Sequence, residues 1–67
     1  MAVARVTEIS ATSSQSFEDA LRQGLERATR TLRGATSAWI KEQQAKLRDG
    51  RIAEHQVDMQ VSFVLDA

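Results

Sequence analysis

Cysteine and proline are both absent from the 67 residues, and histidine occurs once, as His55. Lack of cysteine excludes disulfides and thiolate metal sites, and a single histidine leaves too few good ligands for a structural zinc within one chain. Aromatic residues are scarce: Phe17, Trp39 and Phe63 are too few for a base-stacking platform. Neither sign of charge prevails, because nine Lys and Arg balance nine Asp and Glu. No field therefore draws the chain toward nucleic acid or an acidic membrane. No apolar run approaches the roughly 20 residues of a membrane span, and the start Met1-Ala2-Val3-Ala4-Arg5 lacks the apolar centre of a signal peptide. The expected compartment is the cytoplasm, with no nucleic-acid or membrane partner.

What is present is a short chain without internal staples. A domain of about 60 residues buries only roughly 60% of the surface its unfolded chain exposes, so such chains lean on disulfides, metals or partners. With the first two excluded, self-association is expected. The chain has no linker, low-complexity tract or repeat and is read as one domain over 1–67.

Val3 to Ile9 is rich in β-branched residues and the polar run Ser10 to Ser16 follows it, which predicts a first strand and then a loop. From Phe17 to Arg33 the residues Phe17, Leu21, Leu25, Ala28 and Leu32 recur at spacings of three and four, the pattern of an amphipathic helix with one face to a core. Ser16 suits its N-cap, and Asp19 resembles the acidic half of a capping box. Arg30 and Arg33 suit the negative end of the helix dipole, and Gly34 suits a left-handed stop. Asp49-Gly50 is a hairpin turn signal, since both central positions of a type I′ turn need positive φ. After it Val57, Met59, Val61, Phe63 and Leu65 alternate with Gln56, Asp58, Gln60, Ser62 and Val64, a two-faced strand. Its partner must be Ser37 to Leu47, giving an α+β chain in the order strand, helix, strand, strand.

A two-residue turn sets Arg48 opposite Arg51 and, by counting, Leu47 opposite Ile52, Gln43 opposite Gln56, Lys41 opposite Asp58 and Trp39 opposite Gln60. Ile40 then faces Met59 and Ala38 faces Val61, an apolar face for the helix, while Lys41 and Asp58 form an opposite-charge pair on the other. That second face carries Trp39, Lys41, Gln43, Gln56, Asp58 and Gln60. In a domain this small it is either solvated or covered by another subunit. In the second case Trp39 and the amides would line a shared site for a flat heteroaromatic ligand. Pattern alone does not separate the two.

Val6-Thr7-Glu8-Ile9, Thr12-Ser13, Ser16-Phe17-Glu18-Asp19-Ala20, Glu26-Arg27-Ala28, Thr31-Leu32-Arg33, Asp49-Gly50, His55-Gln56-Val57 and Val61-Ser62-Phe63-Val64-Leu65-Asp66, in this order and spacing, resemble the dodecins, small flavin-binding proteins of bacteria and archaea. The resemblance covers nearly the whole chain. It implies a three-stranded antiparallel sheet curled around one helix and a hollow homododecamer, with flavin (riboflavin or FMN) stored at dyads between subunits, stacked on a tryptophan and hydrogen-bonded by a glutamine. Gln56 occupies the glutamine position. The family's Trp-Phe-Glu-Val stretch falls on Ser37-Ala38-Trp39-Ile40, so Ser37 stands in the stacking position and Trp39 two residues beyond it. Gln44 stands where the family carries an arginine, which removes a guanidinium fork.

The resemblance thus assigns Trp39, Gln56, Ser37 and Gln44 as cofactor-binding candidates. Trp39 either supplies a relocated stacking plane or fills the former flavin space, leaving a flavin-free assembly with a structural role or another ligand such as a divalent ion. For such an ion Glu8, Asp58 or Asp66 would serve only where symmetry gathers copies. No catalytic residue is assigned: His55 has no evident nucleophile partner, there is no Gly-rich phosphate loop, and Glu54 and Asp58 have solvated or paired roles available.

Overall fold

The computed structural model describes residues 3–65. Strand β1 (Val3–Ser13), helix α1 (Phe17–Thr31), and strands β2 (Ala35–Arg48) and β3 (Arg51–Leu65) follow one another. They form an antiparallel sheet in the order β1-β3-β2 with one helix packed on it, the expected α+β architecture.

Strand β1 runs past the predicted end at Ile9. Ser10, Ala11, Thr12 and Ser13 pair with Asp58, Val57, Gln56 and His55. The predicted loop is largely strand because the two-residue alternation persists: Glu8, Ser10 and Thr12 are exposed, whereas Ile9 and Ala11 pack toward the core and Ser13 is buried. Strand propensity is a matter of fitting a half-buried pleat, which small hydroxyl residues do.

Helix α1 begins at the N-cap Ser16, whose Oγ accepts the Asp19 N–H at 2.9 Å. Asp19 does not close a capping box; its Oδ2 accepts from Ser13 Oγ and Gln23 Nε2, each at 2.6 Å. The helix ends at Thr31, short of Arg33, where Leu32 turns extended while its N–H still reaches Ala28 O at 2.8 Å. Gly34 (φ 77°) then redirects the chain, and its carbonyl accepts the Val64 N–H at 3.1 Å.

The core lies between α1 and the middle of β3. Ala20 and Ala28, with Gly24 between them, are buried against Val57, Met59, Val61 and Phe63. Phe17, Leu21, Leu25 and Leu32 from the predicted stripe pack at its margin, only partly buried. The line of small residues at i, i+4 is where helix and sheet approach most closely. A Cβ on Gly24 would come within 2.9 Å of Met59 Cε and 3.0 Å of Ala11 Cβ.

The helix packs on β1 and β3 but leaves β2 exposed along its whole length except for the half-buried Ala35. Ile40, predicted to sit under the helix, is 42% exposed. The described residues are correspondingly elongated, 52 × 19 × 13 Å.

At the hairpin, Asp49 (φ 53°) and Gly50 (φ 77°) are both left-handed, as a type I′ turn requires. Leu47 faces Ile52 and Arg48 faces Arg51, and further along Ala38, Trp39 and Ile40 face Val61, Gln60 and Met59, all as predicted. Between these two stretches the register differs by one residue. Ala53 is an extra residue on β3 and Lys41 an extra residue on β2, two bulges whose displacements cancel. Two predicted pairs are thereby corrected: Gln43 faces Val57 rather than Gln56, and Asp58 faces Glu42 rather than Lys41.

Candidate functional site

Because Val57, Met59 and Val61 are buried under the helix, Gln56, Asp58 and Gln60 point to the opposite, outer face. The pairing adds Glu8, Ser10 and Thr12 from β1 and Ser37, Trp39, Glu42 and Gln44 from β2. All four candidate residues, Ser37, Trp39, Gln44 and Gln56, therefore share one face. Gln44 joins it through the bulge at Lys41, for in an unbroken strand it would lie on the opposite side from Trp39. Gln43 leaves it and shares the inner face with Val57.

Within the face the candidates separate into two parts. Trp39, 46% exposed, is paired with Gln60. Gln56 is paired with Gln44, four residues along β3 from Gln60, or roughly 13 Å of extended strand. Ser37, which the sequence resemblance sets at the stacking position, faces Ser62.

Two hydrogen-bonded groups bind the three strands across this face. Asp58 Oδ1 accepts from Ser10 Oγ at 2.8 Å and from Gln56 Nε2 at 3.0 Å. These two bonds hold the Asp58 carboxyl below its ordinary range, and the nearby ammonium groups of Lys41 and Lys46 add to the effect. Glu8 Oε1 accepts from Lys41 Nζ at 3.0 Å and from Gln60 Nε2 at 3.4 Å. The hydrogen bond and charge of Glu8 raise the Lys41 ammonium, with Glu42 and Asp58 contributing. The predicted Lys41–Asp58 pair is thus replaced by a Lys41–Glu8 pair that crosses over β3.

The part played by Ser10 and Glu8 was not foreseen in the sequence. Glu8 lies in the predicted strand, and the signal for Ser10 is the alternation that continues from Glu8 through Ser10 and Thr12, which a run of Ser and Thr makes easy to read as loop.

His55 lies on the inner face, paired with Ser13 and Ala45. Its Nδ1 donates to Ser13 O at 3.1 Å and its ring meets Phe17 edge-on at 5.0 Å between centroids. It closes the end of the core where α1 begins. Among the described residues no group of three or more His, Asp and Glu is placed to hold a metal ion, and Asp66 lies outside them. An open groove of about 630 Å³ runs between β1 and α1, lined in part by Thr12, Gln23, Arg27 and Leu32; none of the four candidates borders it.

The dodecin family model matches residues 3–66. Among solved structures, the dodecin from Streptomyces davaonensis is 39% identical with a TM-score of 0.91, over 98% of this chain and 97% of that one. A single-residue variant of the Thermus thermophilus dodecin is 30% identical with a TM-score of 0.92, over all of both chains. A calcium dodecin from Mycobacterium tuberculosis, described as calcium-chelating, is 28% identical with a TM-score of 0.82, over 96% of this chain and 91% of that one. Curated protein sequences give no match. With its strand, helix, strand, strand order, its single helix on an antiparallel sheet and a family match over nearly its whole length, the chain belongs to the dodecin family, whose members form dodecamers.

Proposed function

We propose that this protein is a non-enzymatic, homo-oligomeric binding and storage protein that sequesters a flavin-type heteroaromatic at sites where the outer faces of two subunits meet. The observation that carries this reading is the exposed Trp39 on the same face as Gln44 and Gln56. A flat ring presents two apolar faces and a polar edge, and an aromatic plane with amide groups answers both. Across a two-fold axis, Trp39 of one subunit and Gln56 of another can act on one ligand, although they stand far apart within a single chain. These residues fit a flavin ring; Gln44, in place of arginine, gives less to a phosphate, so riboflavin is favoured over FMN.

Assembly is supported by the apolar side chains that one subunit leaves uncovered, among them Ile40, Leu47, Ile52 and Leu65. Light scattering at micromolar concentration is expected to give a particle near twelve subunits, in keeping with the family. For the ligand, wild type is expected to quench riboflavin fluorescence on titration and Trp39→Ala to lose most of that quenching. Quenching that survives the substitution rules out Trp39 as the stacking plane.

A second reading is a flavin-free assembly whose dyad pocket is closed by Trp39. The observation favouring it is Ser37, which leaves the family's stacking position without an aromatic ring. A divalent ion is then the other ligand to test, given the calcium-chelating relative.

A further inference from the structure

Gln56 does not point its amide freely. Its Nε2 donates to Asp58 Oδ1 at 3.0 Å, and the same oxygen accepts from Ser10 Oγ at 2.8 Å. An ionised carboxylate only accepts, so the amide must turn its NH₂ toward Asp58, and the opposite orientation would set two oxygens against each other. The carbonyl oxygen Oε1 is then directed away from Asp58. Ser10, paired with Asp58 from the neighbouring strand, keeps the carboxylate from rotating out of this contact.

We propose that Asp58 is a positioning residue that fixes the Gln56 amide with its carbonyl toward the ligand, so that the site selects a ring edge presenting an N–H donor. This rests on the reading of Gln56 as a ring contact. A free glutamine amide offers donor or acceptor equally by a half-turn about its last torsion, whereas a locked one discriminates. Asp58 itself touches no ligand in this scheme and acts through Gln56.

Two measurements test it on the assembled protein. In side-chain ¹⁵N NMR of the ligand-free protein, Asp58→Ala is expected to shift and exchange-broaden the Gln56 amide pair, and Asp58→Asn, which retains an acceptor oxygen, to restore most of the wild-type signal. In riboflavin titrations, Asp58→Ala is expected to weaken binding about tenfold in the wild-type background and less than about twofold when Gln56 is already alanine. Equal weakening in both backgrounds, or Gln56 amide resonances unmoved by Asp58→Ala, overturns the positioning role. A wild type indifferent to riboflavin overturns the ligand reading alone, and the resonances then decide whether Asp58 holds Gln56.

Discussion

Gln44 stands directly across from Gln56 on the outer face of the sheet, in contact range of the residue whose amide Asp58 holds. The sequence resemblance sets an arginine at this point. Gln44→Arg is therefore expected to improve binding of FMN about fivefold to tenfold while changing riboflavin little, because a guanidinium gains a charge-assisted bond only where the ligand carries a phosphate. Parallel titrations with the two flavins check it, and equal gains for both would place position 44 away from the phosphate.

The two fates of Trp39 differ in what a double substitution does. If Trp39 fills the pocket, Ser37→Trp combined with Trp39→Ala restores the family's stacking plane and converts a weak binder into one that quenches riboflavin. If Trp39 is the plane, wild type already quenches and Trp39→Ala alone removes it. A double variant that assembles yet fails to bind counts against the filled-pocket account.

Asp58 carries a pH dependence of known sign. Its carboxyl is held below the ordinary value of 3.8 by Ser10 and Gln56, so the stabilisation is present above that pH and is lost as pH falls through the lower folded value. Ser10→Ala is expected to move the Asp58 titration, followed by carboxyl ¹³C shifts, back upward. Lys41 has the opposite sign: raised above 10.5 by Glu8, it stabilises below that pH and the effect disappears as pH rises through the folded value. Glu8→Gln is expected to lower the Lys41 titration in the same kind of experiment.

Gly24 sits where helix and sheet leave no room for a side chain. Gly24→Val gains a little helix propensity, at most several tenths of a kcal/mol, but forces a branched group between Ala11 Cβ and Met59 Cε. Met59 can swing its terminal methyl aside, whereas Ala11 is fixed by the β1 backbone. Overpacking of this kind costs about 1 to 3 kcal/mol and prevails, so urea denaturation is expected to show a net loss of about 2 kcal/mol. A variant as stable as wild type would mean that the helix can lift from the sheet at little cost.

The element order, the N-cap at Ser16 and the turn at Asp49-Gly50 could be read from the sequence because each depends on chemistry within a few residues. Residues 10 to 13 carry the two-residue alternation as well, but their Ser and Thr content fits a loop equally, and it is the pairing of Ser10 and Thr12 with Asp58 and Gln56, far along the chain, that decides for the strand. The same holds for the helix face: hydrophobicity points to Leu21 and Leu25, but the closest approach follows the small residues, and size matters only once a partner surface exists. Counting from the turn placed Trp39 opposite Gln60 correctly and Gln43 opposite Gln56 wrongly, because a bulge at Ala53 and another at Lys41 leave no mark in a binary pattern.

That cancelling pair makes the hairpin divisible. Between Lys41 and Ala53 the middle of β2 slides by one position against β3, while the turn and the Trp39–Gln60 end keep their alignment. Deleting both extra residues leaves every pair from Glu42–Asp58 to Lys46–Glu54 in place, because the partners on either side of each bulge simply close up. Deleting only one leaves the other bulge to absorb a strand one residue longer than its partner, and the pairs Leu47–Ile52 and Arg48–Arg51 beside the turn are kept. The span between the bulges is thus a cassette whose pairing depends on neither extra residue, and each bulge can be edited on its own.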